Sequence, residues 1–139
     1  MTSTARGIRV PESLQREIER EMERRGVTEW SAMVLELLEE AVRMRRAPGV
    51  IFVEGATGRR AVVAGSGLEV WEVVQMWQEV GQDYRRLRAA YDWLSEPQLR
   101  AALSYWELYG PEIEERLKRE AKLTAERVQR ELPFTTPRS

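Results

Sequence analysis

Cysteine, histidine and asparagine are all absent from the 139 residues, and lysine occurs only at positions 118 and 122. Without cysteine there are no disulfides, and without cysteine or histidine there is no zinc site built on them and no nucleophile–histidine pair. No stretch reaches the roughly 18 apolar residues of a membrane-spanning helix. The N-terminus lacks the apolar core of a signal peptide, so residence in the cytoplasm is the expectation. Arginine in place of lysine and a lack of asparagine fit a thermophile, and a GC-rich genome would give the same composition. A net charge of −1 excludes an overall basic protein. Binding to nucleic acid would therefore need a local patch.

What is present is a globular composition, 42% apolar and 32% charged. The most informative stretch is residues 6 to 46. Ile8 and Val10 alternate with Gly7 and Arg9, the two-residue period of a strand. Pro11 ends that strand and suits the first turn of a helix. Leu14, Ile18 and Met22 recur every four residues and predict a helix whose remaining surface is charged. Arg24-Arg25-Gly26 is a helix exit, with cations in the last turn and a glycine for the left-handed cap. Thr28 or Ser31 would cap a second helix. Along it, Trp30, Met33, Val34, Leu37, Leu38, Ala41 and Met44 form a wide apolar stripe, with Leu35 and Val42 beside it. So broad a belt needs more cover than one short helix supplies.

The lone strand has the same difficulty, because its backbone groups must pair with something and no partner strand lies in the next forty residues. The economical solution is a second copy of the chain, with two strands antiparallel across a two-fold axis and four helices wrapped beneath them. The motifs GIRVP and GVTEWSAM give this third of the chain a form that resembles the ribbon-helix-helix DNA-binding proteins of the MetJ/Arc/CopG type. That resemblance implies a swapped homodimer gripping operator DNA. Ile8 and Val10 would face the core and Gly7 and Arg9 the major groove, where arginine can pair bidentately with guanine. Gly7 and Ala5 replace the polar side chains usual at the other outward positions, so readout would rest on Arg9, on neighbouring Thr4 or Arg6, or on DNA shape. The amides near Thr28 and Ser31 would anchor phosphate. The plain alternative for Arg9 is a surface arginine or a phosphate contact.

Arg43-Met44-Arg45-Arg46 closes the second helix, and Ala47-Pro48-Gly49 marks a domain boundary. Val50–Val53 and Arg59–Val63 read as a β-hairpin around a glycine-containing loop at 54 to 58. Helices are expected over Leu68–Val80, over Tyr84–Tyr91, from Ser95 to Gly110-Pro111, and from Glu112 to about Leu132. A loose tail would follow from 133 to 139. The glycine-rich run from Gly49 to Val73 with GRRA and GLEVWEV, then WLSEPQLRAALSY, then GPEIE, resembles a small helical domain of VapB-like bacterial antitoxins, commonly encoded beside PIN-domain ribonucleases. It spans roughly residues 48 to 118. The pair of helices over 83 to 109 also has the look of a helix-turn-helix.

Other signals have plainer readings. Gly65-Ser66-Gly67 lacks a lysine and phosphate-loop spacing, and fits a strand-to-helix turn. Glu36, Glu39 and Glu40 fit a solvated helix face, and Asp83 and Asp92 have no positioned partner for catalysis. Most of the tryptophans and tyrosines fall at helical core spacing, with Trp93, Tyr105 and Tyr109 expected nearest the surface.

The sequence thus predicts a mainly α protein with short strands. A ribbon-helix-helix domain (1–47) precedes a hairpin and four-helix domain (48–132) and a tail (133–139). No enzyme, cofactor, metal or membrane association is expected. The resemblances imply an antitoxin and autorepressor that binds operator DNA as a homodimer and neutralises a PIN-type ribonuclease. Toxin contacts would fall among Trp106, Tyr109, Leu117, Arg127, Arg130, Phe134 and Arg138. Arg127, Arg130 and Arg138 are available to enter an acidic, metal-holding toxin site. A regulator without a toxin partner, and a dimeric scaffold that does not bind DNA, are the alternative readings.

Overall fold

The computed structural model describes residues 2–132. Helix α1 (Glu12–Arg25) and helix α2 (Trp30–Arg46) precede a hairpin of β1 (Val50–Gly55) and β2 (Gly58–Val63). Helices α3 (Val70–Glu79), α4 (Tyr84–Ala90) and α5 (Glu96–Glu131) complete the order. The chain is therefore mostly helical with one small antiparallel sheet. Among the described residues no helix is long and apolar enough to cross a membrane. Phe134, Arg138 and the rest of the expected tail lie outside the described residues.

Two compact units divide the chain between Val42 and Arg43. The division falls within α2, ahead of the Ala47-Pro48-Gly49 break. Its physical reason is visible in the second unit: Ala47 is fully buried there, and the Arg43 side chain bonds to Tyr105 and Glu112.

In the first unit α1 ends as its sequence dictates. Gly26 adopts φ 68°, and its amide and the next satisfy the last carbonyls of the helix. Helix α2 begins at Trp30, so Glu29, and neither Thr28 nor Ser31, sits just ahead of it; the Met33 amide donates to the Glu29 carbonyl at 3.2 Å. Arg25 and Glu36 form a forked ion pair from α1 to α2. Residues 2–11 take no part in a strand within the chain. Only Ile18 and Met33 are buried in this unit.

The second unit carries the core. The hairpin closes tightly, with Gly55 opposite Gly58, so the loop is two residues long where five were expected. Both strands extend accordingly. Val50 pairs with Val63 and Phe52 with Ala61 on the inward face, while Ile51 and Val53 face outward. The turn at Gly65-Ser66-Gly67 is held by the Ser66 hydroxyl, which donates to the Val63 carbonyl at 2.7 Å and accepts from the Leu68 amide at 3.0 Å. This is the strand-to-helix turn. Leu68 is spent in it, and its carbonyl accepts from the Val63 amide, so α3 starts at Val70, two residues later than the apolar pattern alone suggests.

Val70, Val73 and Val74 of α3 lie along α5, where Leu99, Ala102 and Tyr105 complete a fully buried centre with Leu87 and Leu94. Asp83 caps α4, its carboxylate accepting from the amides of Arg85 and Arg86 at 3.0 and 3.3 Å. Ser95 and Gln98 form a reciprocal capping box at the start of α5, with Pro97 in its first turn. The two helices expected either side of Gly110-Pro111 are one bent helix. Pro111 has no amide hydrogen for the preceding turn and its ring crowds that turn, so the backbone leaves helical geometry at Tyr109 (φ −127°, ψ 39°) and then resumes. Helix α4 packs chiefly on α3.

Gly49 joins α2 to β1 with φ 98°, and a Cβ there would lie 2.9 Å from the Ala101 Cβ in the core. Gly49→Ala combines a disfavoured backbone with a clash, and we expect a loss of about 2 kcal/mol in urea unfolding.

Candidate functional site

The first candidate surface is the arm ahead of α1. Thr4, Arg6, Gly7 and Arg9 are all exposed, and so are Thr28 and Ser31 at the turn into α2. Between Thr2 and Pro11 there are two arginines and no carboxylate. In α1 five glutamates face four arginines, and Arg24 and Arg25 are already paired with Glu21 and Glu36. Uncompensated positive charge is thus concentrated in the arm.

Ile8 lies in the same arm and is 73% exposed within the single chain, with Val10 half-buried. The apolar belt of α2 is partly uncovered: Leu37, Leu38 and Met44 are open to solvent, while Met33 is buried and Trp30 and Val34 are half-buried. Leu35 and Val42, off that stripe, are exposed as well. The sequence pattern located this belt, and a single chain leaves it partly unburied.

The expected partner-binding residues divide into two groups. Trp106, Tyr109 and Leu117 are half-buried and pack against the core. Tyr109 lies under two guanidiniums, Arg43 at 4.4 Å and Arg46 at 5.6 Å from its ring centre. Arg127 and Arg130 stand on the far end of α5, where every residue from 121 to 132 is exposed. Arg127 pairs with Glu131 at 3.0 Å across one turn, a contact of small energetic weight at such exposure. Leu123, Val128 and Leu132 are exposed along the same segment.

Trp93 reaches the surface, 60% exposed, but Tyr105 does not: it is completely buried, contrary to the sequence expectation. The reason is a polar cluster that the sequence reading missed. The Tyr105 hydroxyl donates to the Glu112 carboxylate, and Arg43 donates to both, at 2.8 Å to the tyrosine oxygen and 2.6 Å to Glu112. A buried phenol is stable only with such partners. The one legible signal was the spacing of Tyr105 and Glu112, seven residues and so two turns apart on one helix face; Arg43 is distant in sequence and had none. Burial, reinforced by the hydrogen bond to the Glu112 carboxylate, pushes the Tyr105 hydroxyl far above the usual phenol range, against a smaller opposing pull from Arg43.

Other ionic groups are structural. Glu69 lies between Arg60 at 3.2 Å and Arg116 at 3.7 Å, and Arg116 also meets Glu120 at 2.8 Å. Burial, with Glu69 nearby, raises the Glu72 carboxyl above its ordinary value. Among the described residues no group of three acidic side chains is gathered to hold a metal ion. No protein-family model matches the chain, and neither a curated protein nor a solved structure does.

Tyr105→Phe removes one buried hydroxyl and leaves Arg43 and Glu112 paired, so we expect a loss of about 1–2 kcal/mol at neutral pH. A group whose folded-state pKa is raised stabilises the fold below its unfolded value and loses that contribution as pH climbs toward the folded one. The gap between wild type and Tyr105→Phe should therefore be constant from neutral pH to about 9 and shrink above about 10. Urea titrations at fixed pH steps measure it.

Proposed function

We propose that the chain is an antitoxin of a toxin–antitoxin pair, an autorepressor whose first unit dimerises on operator DNA and whose second unit binds a PIN-type ribonuclease. The observation that carries this reading is the first unit's unmet burial. Two helices bury only Ile18 and Met33 while Ile8, Leu14, Leu35, Leu37, Leu38 and Val42 remain exposed. An isolated unit of about forty residues with so small a core does not fold by itself. A second copy covers these side chains and supplies the strand partner that Ile8–Val10 lacks. Pairing the two arms sets Arg9 beside its equivalent on one outward ribbon, with Arg6 and Thr4 flanking, a shape suited to the major groove. Thr28 and Ser31 lie where free amides open α2 and can hold phosphate.

The partner-binding half of the reading is supported by the last third of α5. Beyond Leu117 the helix leaves the core and carries exposed Leu123 and Val128 beside Arg127 and Arg130. A helix with apolar and cationic side chains can lie in a groove of the toxin and place a guanidinium among the carboxylates of its metal site.

Ile8→Lys should dissociate the dimer, measured by analytical ultracentrifugation; a dimer that persists at micromolar concentration counts against strand pairing. Arg9→Ala should weaken binding to the chain's own promoter at least about tenfold while leaving the dimer intact, as loss of a bidentate guanine contact in each half-site requires. Unchanged binding in a gel shift would exclude Arg9 as the reader. A chain ending at Glu120 keeps Ile113 and Leu117 and hence the core. It should retain operator binding and lose the toxin in a co-purification assay; loss of both, with the fold intact, would break the division of labour.

A further inference from the structure

The bend in α5 opens a hollow beside α3, entirely within the second unit. Its apolar walls are Trp77 of α3 with Leu103, Trp106 and Pro111 of α5, and its volume is about 660 Å³. Glu107 and Glu114 stand at its edge, both solvent-exposed. Gln78 donates to Glu114 at 3.3 Å. Gly110 leaves the remaining gap. Among the described residues no arginine or lysine lines the hollow, in a chain with 22 basic residues.

Each component has a chemical consequence. The volume falls in the range of small-ligand sites, about 300–1,000 Å³. Two indoles line it, and an indole ring attracts a cation that is partly desolvated over its face. Two carboxylates, seven residues apart on one helix, place negative charge over the same opening, and with no positive side chain in the lining nothing there neutralises them. An anion would meet this charge unscreened, and a neutral apolar molecule would leave the carboxylates unused. We propose that this hollow is a binding site for a small organic cation with an aromatic or bulky apolar body, held by Trp77 and Trp106 and selected for charge by Glu107 and Glu114.

The kink makes the site. A straight helix through Tyr109 would continue the packing surface, and any residue larger than glycine at 110 would occupy the gap. A Cβ built on Gly110 meets nothing within 4 Å, and its backbone does not demand glycine. Gly110→Leu therefore adds a side chain at the lining in open space, without a clash at its Cβ. This site uses no residue of the arm and shares only Trp106 with the expected toxin contacts, and its test contains neither DNA nor a second protein, so it can fail or succeed independently of that reading.

The test is calorimetric titration of the full chain with tetraphenylphosphonium, compared with tetraphenylborate, an ion of the same shape and opposite charge. The cation should bind saturably, one per chain, and at least about tenfold more tightly than the anion. The double change Glu107→Gln with Glu114→Gln should weaken the cation by about tenfold with an unchanged circular dichroism spectrum. Gly110→Leu should abolish binding, whereas Trp93→Phe, at an exposed indole outside the hollow, should leave it unaltered. Equal affinity for the two ions, no saturable binding of the cation, or full affinity in the carboxylate double variant would overturn the proposal. If Gly110→Leu fails to fold, the carboxylate variant and the charge comparison decide the question.

Discussion

A pair of helices that buries only Ile18 and Met33 is the constraint on which the functional reading depends. Their contact is reinforced by the Arg25–Glu36 pair, but an ion pair at a partly exposed position contributes little beside the burial of several leucines. The helices are well specified locally, with a glycine cap after α1 and a long amphipathic α2. What they lack is area. Apolar side chains on α2 and in the arm stay exposed in the single chain. In the proposed reading a two-fold partner would cover these side chains and pair the two arms at once, which would link dimerisation to the placement of Arg9.

The second unit solves its burial problem internally. Its valine-rich α3 lies against α5, and the hairpin contributes Val50 and Val63 to the same core. The polar cluster of Tyr105, Glu112 and Arg43 that enters that core is satisfied, its members holding one another across the bend. The bend has two consequences. It leaves α5 against the core through Ile113 and Leu117, and only past these do residues 121 to 132 stand exposed. It also opens the tryptophan-lined hollow, whose composition differs from the arginine-rich exterior around it. A single proline thus bends the helix within its packing segment, and a concavity forms at the bend.

Much of this was legible in the residue pattern because its causes are local. Gly26 as a left-handed cap, Ser95 as the N-cap of α5 and the strand-to-helix turn at 65 to 67 all follow from chemistry within a few residues. The hairpin was readable as alternation, though its loop was read too long, since Glu54, Gly55 and Gly58 look like loop residues and strand pairing overrode them. The start of α3 was read early for the mirror reason: Leu68 is apolar enough for a helix, but its amide and carbonyl are taken by the turn. Tyr105 was misplaced because a tyrosine at a helix face has no local signal for burial. Its partner Arg43 is 62 positions away.

The order of residues determined the helices, the glycine cap after α1, the serine cap of α5, the hairpin and the break at Gly110-Pro111, because each depends on spacing and on backbone preferences within a turn or two. Tertiary structure decided which apolar faces found cover, that Arg43 belongs to the second unit, that Tyr105 is internal, and that two tryptophans and two carboxylates share one hollow. Those outcomes depend on segments far apart in sequence meeting in space, and sequence spacing alone carries no measure of that distance.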